Sequence, residues 1–173
     1  MCLCLGPMKS GKTLLLKNLR GDSIDEANST VQTNGINLFN VRNSDRHFEL
    51  VIREIGGSMA PIWRHHLDRV YKVIYVVDTS NLCQISAAGV LLYSLLVEPK
   101  LALAKFALIL TKMDLSYRQM RNEALLMLNF SRLQKEVRQE ITVIEASGVT
   151  GQGVDKLREW LFDPVTLANA SRR

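Results

Sequence analysis

Gly6-Pro7-Met8-Lys9-Ser10-Gly11-Lys12-Thr13 is the stretch on which the fold turns. It follows a short apolar run, Cys2–Leu5, and opens a helical pattern that runs to about Arg20. A Gly-x4-Gly-Lys-Thr segment in that context is a phosphate-binding loop. Its glycines let the backbone wrap so that successive N–H groups point inward at phosphate oxygens, and the start of the following helix adds its dipole. Lys12 is placed to reach the β- and γ-phosphates, and the Thr13 hydroxyl to ligate Mg²⁺. Gly6, Met8, Lys9, Ser10 and Gly11 complete the expected phosphate cradle. Met8 is bulky and Lys9 adds a second positive charge; either both face the γ-phosphate end or both point to solvent.

Working outward, the same kind of unit recurs. Residues 71–78, 106–110 and 141–145 are apolar runs of strand length, each separated from the next by helical patterns over 82–97 and 117–138. A final helix is expected over 154–162. Continuous apolar strands alternating with helices predict a parallel sheet covered on both faces. Residues 36–42 and 47–54 alternate around Asn43-Ser44-Asp45-Arg46 and read as a hairpin, adding one antiparallel edge strand. The expected fold is therefore α/β, a six-stranded mostly parallel sheet with helices on both faces, in one domain over residues 1–173. Residues 21–35 are too polar to pack and are read as a long loop. In such sheets ligands bind at the carboxyl ends of the strands.

Composition agrees. A chain of 173 residues with 47% hydrophobic and 23% charged content has the make-up of a globular domain. The net charge of +5 is spread rather than clustered, so no nucleic-acid partner is expected. The three cysteines have no framework or metal spacing and read as reduced thiols of a cytoplasmic protein. His65 and His66 are adjacent and lack a partner at metal-ligand spacing. There is no membrane-length apolar run and no lipidation box, so no direct membrane anchor is expected.

Two further strand ends choose the base. Thr111-Lys112-Met113-Asp114 closes the run at 106–110. A carboxylate at Asp114 can accept from both N1–H and the 2-amino group of guanine, whereas adenine would leave it unpaired. Ala146-Ser147-Gly148 ends the last strand, and the Gly148 N–H can donate to guanine O6. Thr111, Lys112, Asp114, Ser147 and Gly148 are thus the expected guanine site, with GTP or GDP and Mg²⁺ as ligands. A small-molecule kinase of the same loop type would need an Arg-rich lid, which is missing, and would leave Asp114 unexplained.

With these boxes go Thr30-Val31-Gln32-Thr33-Asn34-Gly35 and Glu54-Ile55-Gly56-Gly57, then Pro61-Ile62-Trp63-Arg64-His65 and Val76-Val77-Asp78-Thr79-Ser80. In this combination the whole chain resembles the Arf-like branch of the Ras-superfamily small GTPases. The resemblance implies two switch loops, with Thr33, Gly35, Glu54, Ile55 and Trp63 among their residues. Thr33 would meet Mg²⁺ and the γ-phosphate, and Glu54, where the family usually has Asp, would hold a metal-bound water. Gly56 would donate its N–H to the γ-phosphate beside Gly57. Trp63 would either touch effectors or belong to the core. Effectors bound through the switches, carriers of lipidated cargo among them, together with an exchange factor and an activating protein, are the partners the resemblance implies for a monomer. Membrane or ciliary protein traffic, reached from the cytoplasm through cilium- or Golgi-associated partners, is the implied setting.

Departures from the family pattern carry expectations of their own. The Gln that follows the double glycine and orients the attacking water is replaced by Ser58, which is too short. Loss of one such transition-state contact costs on the order of 10²–10³ in rate, so slow intrinsic hydrolysis is expected. The alternative is a GTP-binding interaction module that scarcely hydrolyses. Family members also usually begin with an amphipathic helix; here the sequence starts on the first strand, and nucleotide-gated membrane insertion is not expected.

Overall fold

The structure is a computed structural model that describes residues 1–24, 31–43, 48–115 and 118–163. Its sheet is built from β1 (Cys2–Leu5), β2 (Ile36–Asn43), β3 (Phe48–Ile55), β4 (Lys72–Asp78), β5 (Lys105–Thr111) and β6 (Ile141–Glu145), in the order β2-β3-β1-β4-β5-β6. All neighbouring pairs are parallel except β2 and β3. The expected mixed sheet with one antiparallel edge strand is what the chain forms. The turn joining β2 to β3 lies outside the described residues.

The continuous apolar strands are explained by two cores, one on each face. Alternation in β1 sends Leu3 and Leu5 to one core and Cys2 and Cys4 to the other. Strand β4 divides in the same way, with Val73, Tyr75 and Val77 opposed to Ile74 and Val76. The second core is roofed by α1 (Lys12–Arg20) and α5 (Val154–Leu161), through Leu15, Leu16, Leu19, Leu157 and Leu161. The first is roofed by α2 (Leu82–Leu96), α3 (Arg118–Met127) and α4 (Phe130–Glu136). Where the sequence pattern read as one helical region over 117–138, the chain breaks at Asn129, whose φ of 52° lies in the left-handed region that Asn tolerates. The break allows Leu128, Phe130 and Leu133 all to enter the first core.

A buried lysine at the start of an otherwise apolar strand is anomalous until the tertiary contacts are seen. The Lys72 ammonium donates to the carbonyls of Trp160 (2.6 Å) and Leu161 (2.8 Å), the last of α5, and lies over the Trp160 ring. It thereby satisfies helix-end carbonyls that have no intrahelical donor. Burial pushes its pKa down to about 8.

Cys2 and Cys4 are fully buried and Cys83 is exposed. Burial pushes the Cys2 thiol up from 9.0 to about 12, and Cys4 well above its ordinary value by burial and the nearby Glu54 carboxylate. A thiol reagent at neutral pH is therefore expected to label one cysteine per native chain and all three after denaturation; labelling of Cys2 or Cys4 in the native chain would contradict this. The sign of the pH effect follows. Between 9.0 and about 12 the unfolded Cys2 has lost a proton that the folded chain keeps. Its contribution to stability is thus complete below the unfolded pKa and lost as pH rises through the folded one.

Candidate functional site

The turn after β1 is possible only because residue 6 is glycine. Its φ is +149°, and a Cβ there would lie 2.3 Å from the Val76 carbonyl oxygen of β4. The loop so held runs into α1 at Lys12. Inside it the Lys12 ammonium donates to the loop's own carbonyls, Gly6 at 3.0 Å and Pro7 at 2.8 Å. Lys12 is almost fully buried, and desolvation lowers its pKa, partly offset by Cys4 and Glu54. A buried cation facing a ring of backbone is an arrangement that an anion would relieve. Ser10 is also buried, and among the described residues its hydroxyl has no hydrogen-bond partner.

Three oxygen-bearing side chains from separate elements converge beside Lys12. The Thr13 hydroxyl donates to Glu54 Oε1 at 2.6 Å and lies 3.0 Å from the Thr33 hydroxyl, which is itself 3.4 Å from Glu54 Oε1. Glu54 is fully buried, and its second oxygen accepts from the Asn37 amide at 3.2 Å. Two hydroxyls and a carboxylate make a hard, all-oxygen donor set, which fits Mg²⁺ better than a soft metal. Asn37 escaped the sequence reading; its place depends on the β2–β3 register, which sets it opposite Glu54.

The two loops implied as switches touch one another here. The Gly56 N–H donates to the Gly35 carbonyl at 2.9 Å, and the Gly56 carbonyl accepts from the Trp63 indole at 3.2 Å. The Gly56 N–H was expected at the γ-phosphate. In this arrangement it donates to Gly35 instead, and Gly57 is the glycine whose backbone lies against the loop. A Cβ on Gly57 would come within 2.3 Å of the Met8 nitrogen. Trp63, within the 3₁₀ turn Gly57–His66, is buried in the first core. Ile55 is buried in the same core. Ser58 is exposed and does not line the cleft between Met8, Lys9, Lys12, Thr33, Glu54 and Gly57.

At the other end of the cleft the strand ends of β5 and β6 meet. Ser147 donates to Asp114 Oδ1 at 2.6 Å and accepts the N–H groups of Val149 and Thr150, which holds the carboxylate in place at the surface. Lys112 pairs with the buried carboxylate of Asp78 at 2.6 Å. The Thr111 side chain turns inward instead of towards a base. Its hydroxyl lies 2.7 Å from the Ser10 carbonyl and 2.9 Å from that of Val77, and its one proton can serve only one of them at a time. Thr111 therefore ties the phosphate loop to the sheet. Gly148 packs on α1, where Asn18 donates to its carbonyl at 3.2 Å. Asn18 and Asp78 give no sequence signal as site residues, because both act through contacts made only in the folded chain.

Comparison with known proteins agrees with this fold. The sequence matches the ADP-ribosylation factor family over residues 1–165. It is 32% identical over 169 residues to human ADP-ribosylation factor-like protein 16, spanning 93% of this chain and 84% of that protein. It is 29% identical over 165 residues to ADP-ribosylation factor-like protein 2 of Dictyostelium discoideum, spanning 94% and 85%. Among solved structures, the small GTPase Arl6 (BBS3) of Trypanosoma brucei with bound GppNp superposes with a TM-score of 0.78 at 20% identity, over 99% of this chain and 98% of that one. The mammalian SRP receptor gives 0.68 at 17% identity, over 92% and 97%.

Proposed function

This chain belongs to the ADP-ribosylation factor family of small GTPases, and from that premise we propose that it is a GTP-dependent switch that recruits effectors while hydrolysing GTP slowly by itself. The observation that carries the reading is the meeting of Thr33 with Thr13 and Glu54, together with the hydrogen bond from Gly56 to Gly35. Both loops are then organised around one point beside Lys12, so a triphosphate with Mg²⁺ would hold them and its loss would release them. Phosphates would lie on the loop from Gly6 to Thr13 with Gly57, the metal between Thr13, Thr33 and, through water, Glu54, and guanine between Asp114, Lys112 and Gly148.

An effector would find a docking face beside these loops. Ile36, Leu38 and Val51 are exposed on the face of the β2–β3 ribbon that no helix covers, and Ile62 is exposed on the neighbouring 3₁₀ turn. β2 is also the edge of the sheet, where no other described strand pairs with its outer side. By family analogy the setting is membrane or ciliary protein traffic, with an exchange factor, an activating protein and a carrier of lipidated cargo as partner types. No described helix is long and apolar enough to cross a membrane, so association with a compartment would come through those partners.

The exposure of Ser58 outside the cleft favours a second reading, a GTP-binding module that scarcely cycles. One set of measurements separates the two. Purified chain loaded with GTP is expected to release phosphate in a single turnover at a rate on the order of 10²–10³ below that of an activator-stimulated GTPase. Thr33→Ala is expected to abolish the difference between GTP-analogue-loaded and GDP-loaded chain in partner capture. Co-purifying adenine nucleotide, or equal capture in both nucleotide states, would refute the switch.

A further inference from the structure

We infer that Gln32, in the first switch loop, is the side chain that orients the attacking water in place of the glutamine replaced by Ser58; this rests on the GTPase reading above. Three observations support it. Gln32 lines the phosphate cleft together with Met8, Thr33 and Gly57, whereas Ser58 does not. Its carboxamide nitrogen lies 3.2 Å from Met8 Sδ and 3.3 Å from Asn34 Oδ1. A thioether is a weak acceptor, so this contact places the carboxamide without locking it. Among the described residues none donates to Gln32 Oε1.

The chemistry needs a group of this kind. A water oxygen bonds to the γ-phosphorus as the bond from phosphorus to the β–γ bridging oxygen breaks; that oxygen keeps the electron pair and leaves on GDP. The water proton passes to a γ-phosphate oxygen, giving inorganic phosphate. A carboxamide assists by accepting a hydrogen bond from the water at Oε1 while its N–H₂ donates to a γ-phosphate oxygen. Gln32 is one residue from Thr33, the proposed metal and γ-phosphate ligand, and its Met8 neighbour packs against Gly57. The carboxamide is exposed on the lining of the cleft, beside Met8. The bulky Met8, anomalous in a phosphate loop, acquires a role as the platform on which Gln32 rests. Another glutamine, Gln84, in the first turn of α2 and outside the cleft, donates its side-chain amide to the Met8 backbone carbonyl at 3.3 Å.

Gln32→Met tests this, since it keeps the length and apolar contact of the side chain and removes the carboxamide. Three quantities are read on the whole chain: single-turnover phosphate release, affinity for GTP and GDP, and capture of aluminium fluoride by the Mg²⁺–GDP form followed by fluorine NMR. Release is expected to fall about 100-fold and fluoride capture to be lost, with nucleotide affinities unchanged within about twofold. Release and capture equal to those of the unmodified chain would overturn the inference. So would affinities that fall in step with the rate, which would mark Gln32 as structural. If the unmodified chain binds GTP but releases no phosphate, the inference fails and the GTP-binding reading stands; if it binds no GTP, both fail.

Discussion

Asp114→Ala is expected to erase the preference for guanine over adenine nucleotides, a loss on the order of 10⁴-fold in the ratio of affinities. The carboxylate lies at the surface end of the cleft, and Ser147 holds one of its oxygens at 2.6 Å. That leaves Asp114 as a paired acceptor for the two N–H groups on one edge of guanine. An adenine base offers no donors there, so the discrimination comes from leaving a charged acceptor unpaired, and it vanishes when the acceptor is removed. Asp114→Asn makes the complementary case. One acceptor remains and one donor appears, which matches the N1–H and 2-carbonyl of xanthine. Competition titrations with GDP, ADP and XDP in the presence of Mg²⁺ would measure both. An Ala variant whose guanine-to-adenine ratio stays within about tenfold of the original would sink the assignment of Asp114.

Gly57→Ala is expected to separate GDP binding from the triphosphate state. The added methyl would lie 2.3 Å from the Met8 nitrogen and 2.5 Å from the Pro7 carbonyl carbon. Both are backbone atoms of the loop that cradles phosphate, so neither can swing aside as a side chain would. The start of the 3₁₀ turn must then withdraw, taking with it the contacts of Gly56 to Gly35 and Trp63. The phosphate loop, Thr13 and the guanine end keep their own supports. GDP affinity should therefore change by no more than a few fold, while affinity for a non-hydrolysable GTP analogue falls on the order of 100-fold. Emission from the buried Trp63 should also stop responding to exchange of GDP for the analogue. An unchanged ratio of the two affinities would show that the second loop does not close on Met8 when the triphosphate binds.

Much of this molecule was legible in one dimension, because the signals are local. The phosphate loop between a strand and a helix depends on a spacing of eight residues, and the buried strands depend on runs of apolar side chains too short for helices. The order of those elements implies a parallel sheet, since crossovers through helices leave few other arrangements. Thr13, Asp114 and Ser147 stood out as candidates because each sits at a strand or loop end where such sheets bind ligands. Lys72 shows where that reading stops: within its strand nothing marks it as the donor to the last carbonyls of α5.

What only the tertiary structure decided is which groups are already spent. The sequence assigns donors and acceptors to positions but cannot say whether a partner elsewhere has taken them. Folding gives the Gly56 N–H to Gly35 and turns the Thr111 hydroxyl inward between Ser10 and Val77. It also carries Ser58 out of the cleft and brings the Gln32 carboxamide into it beside Met8. Each of these outcomes depends on contacts between segments far apart in the chain, set by strand register and loop closure. Hydrogen bonds have a range of about 3 Å, so a shift of one residue in either reassigns the donor. The eight residues from Gly6 to Thr13 therefore carry the phosphate-loop signal by themselves, while the packing around Met8 decides which side chains line the cleft beside it.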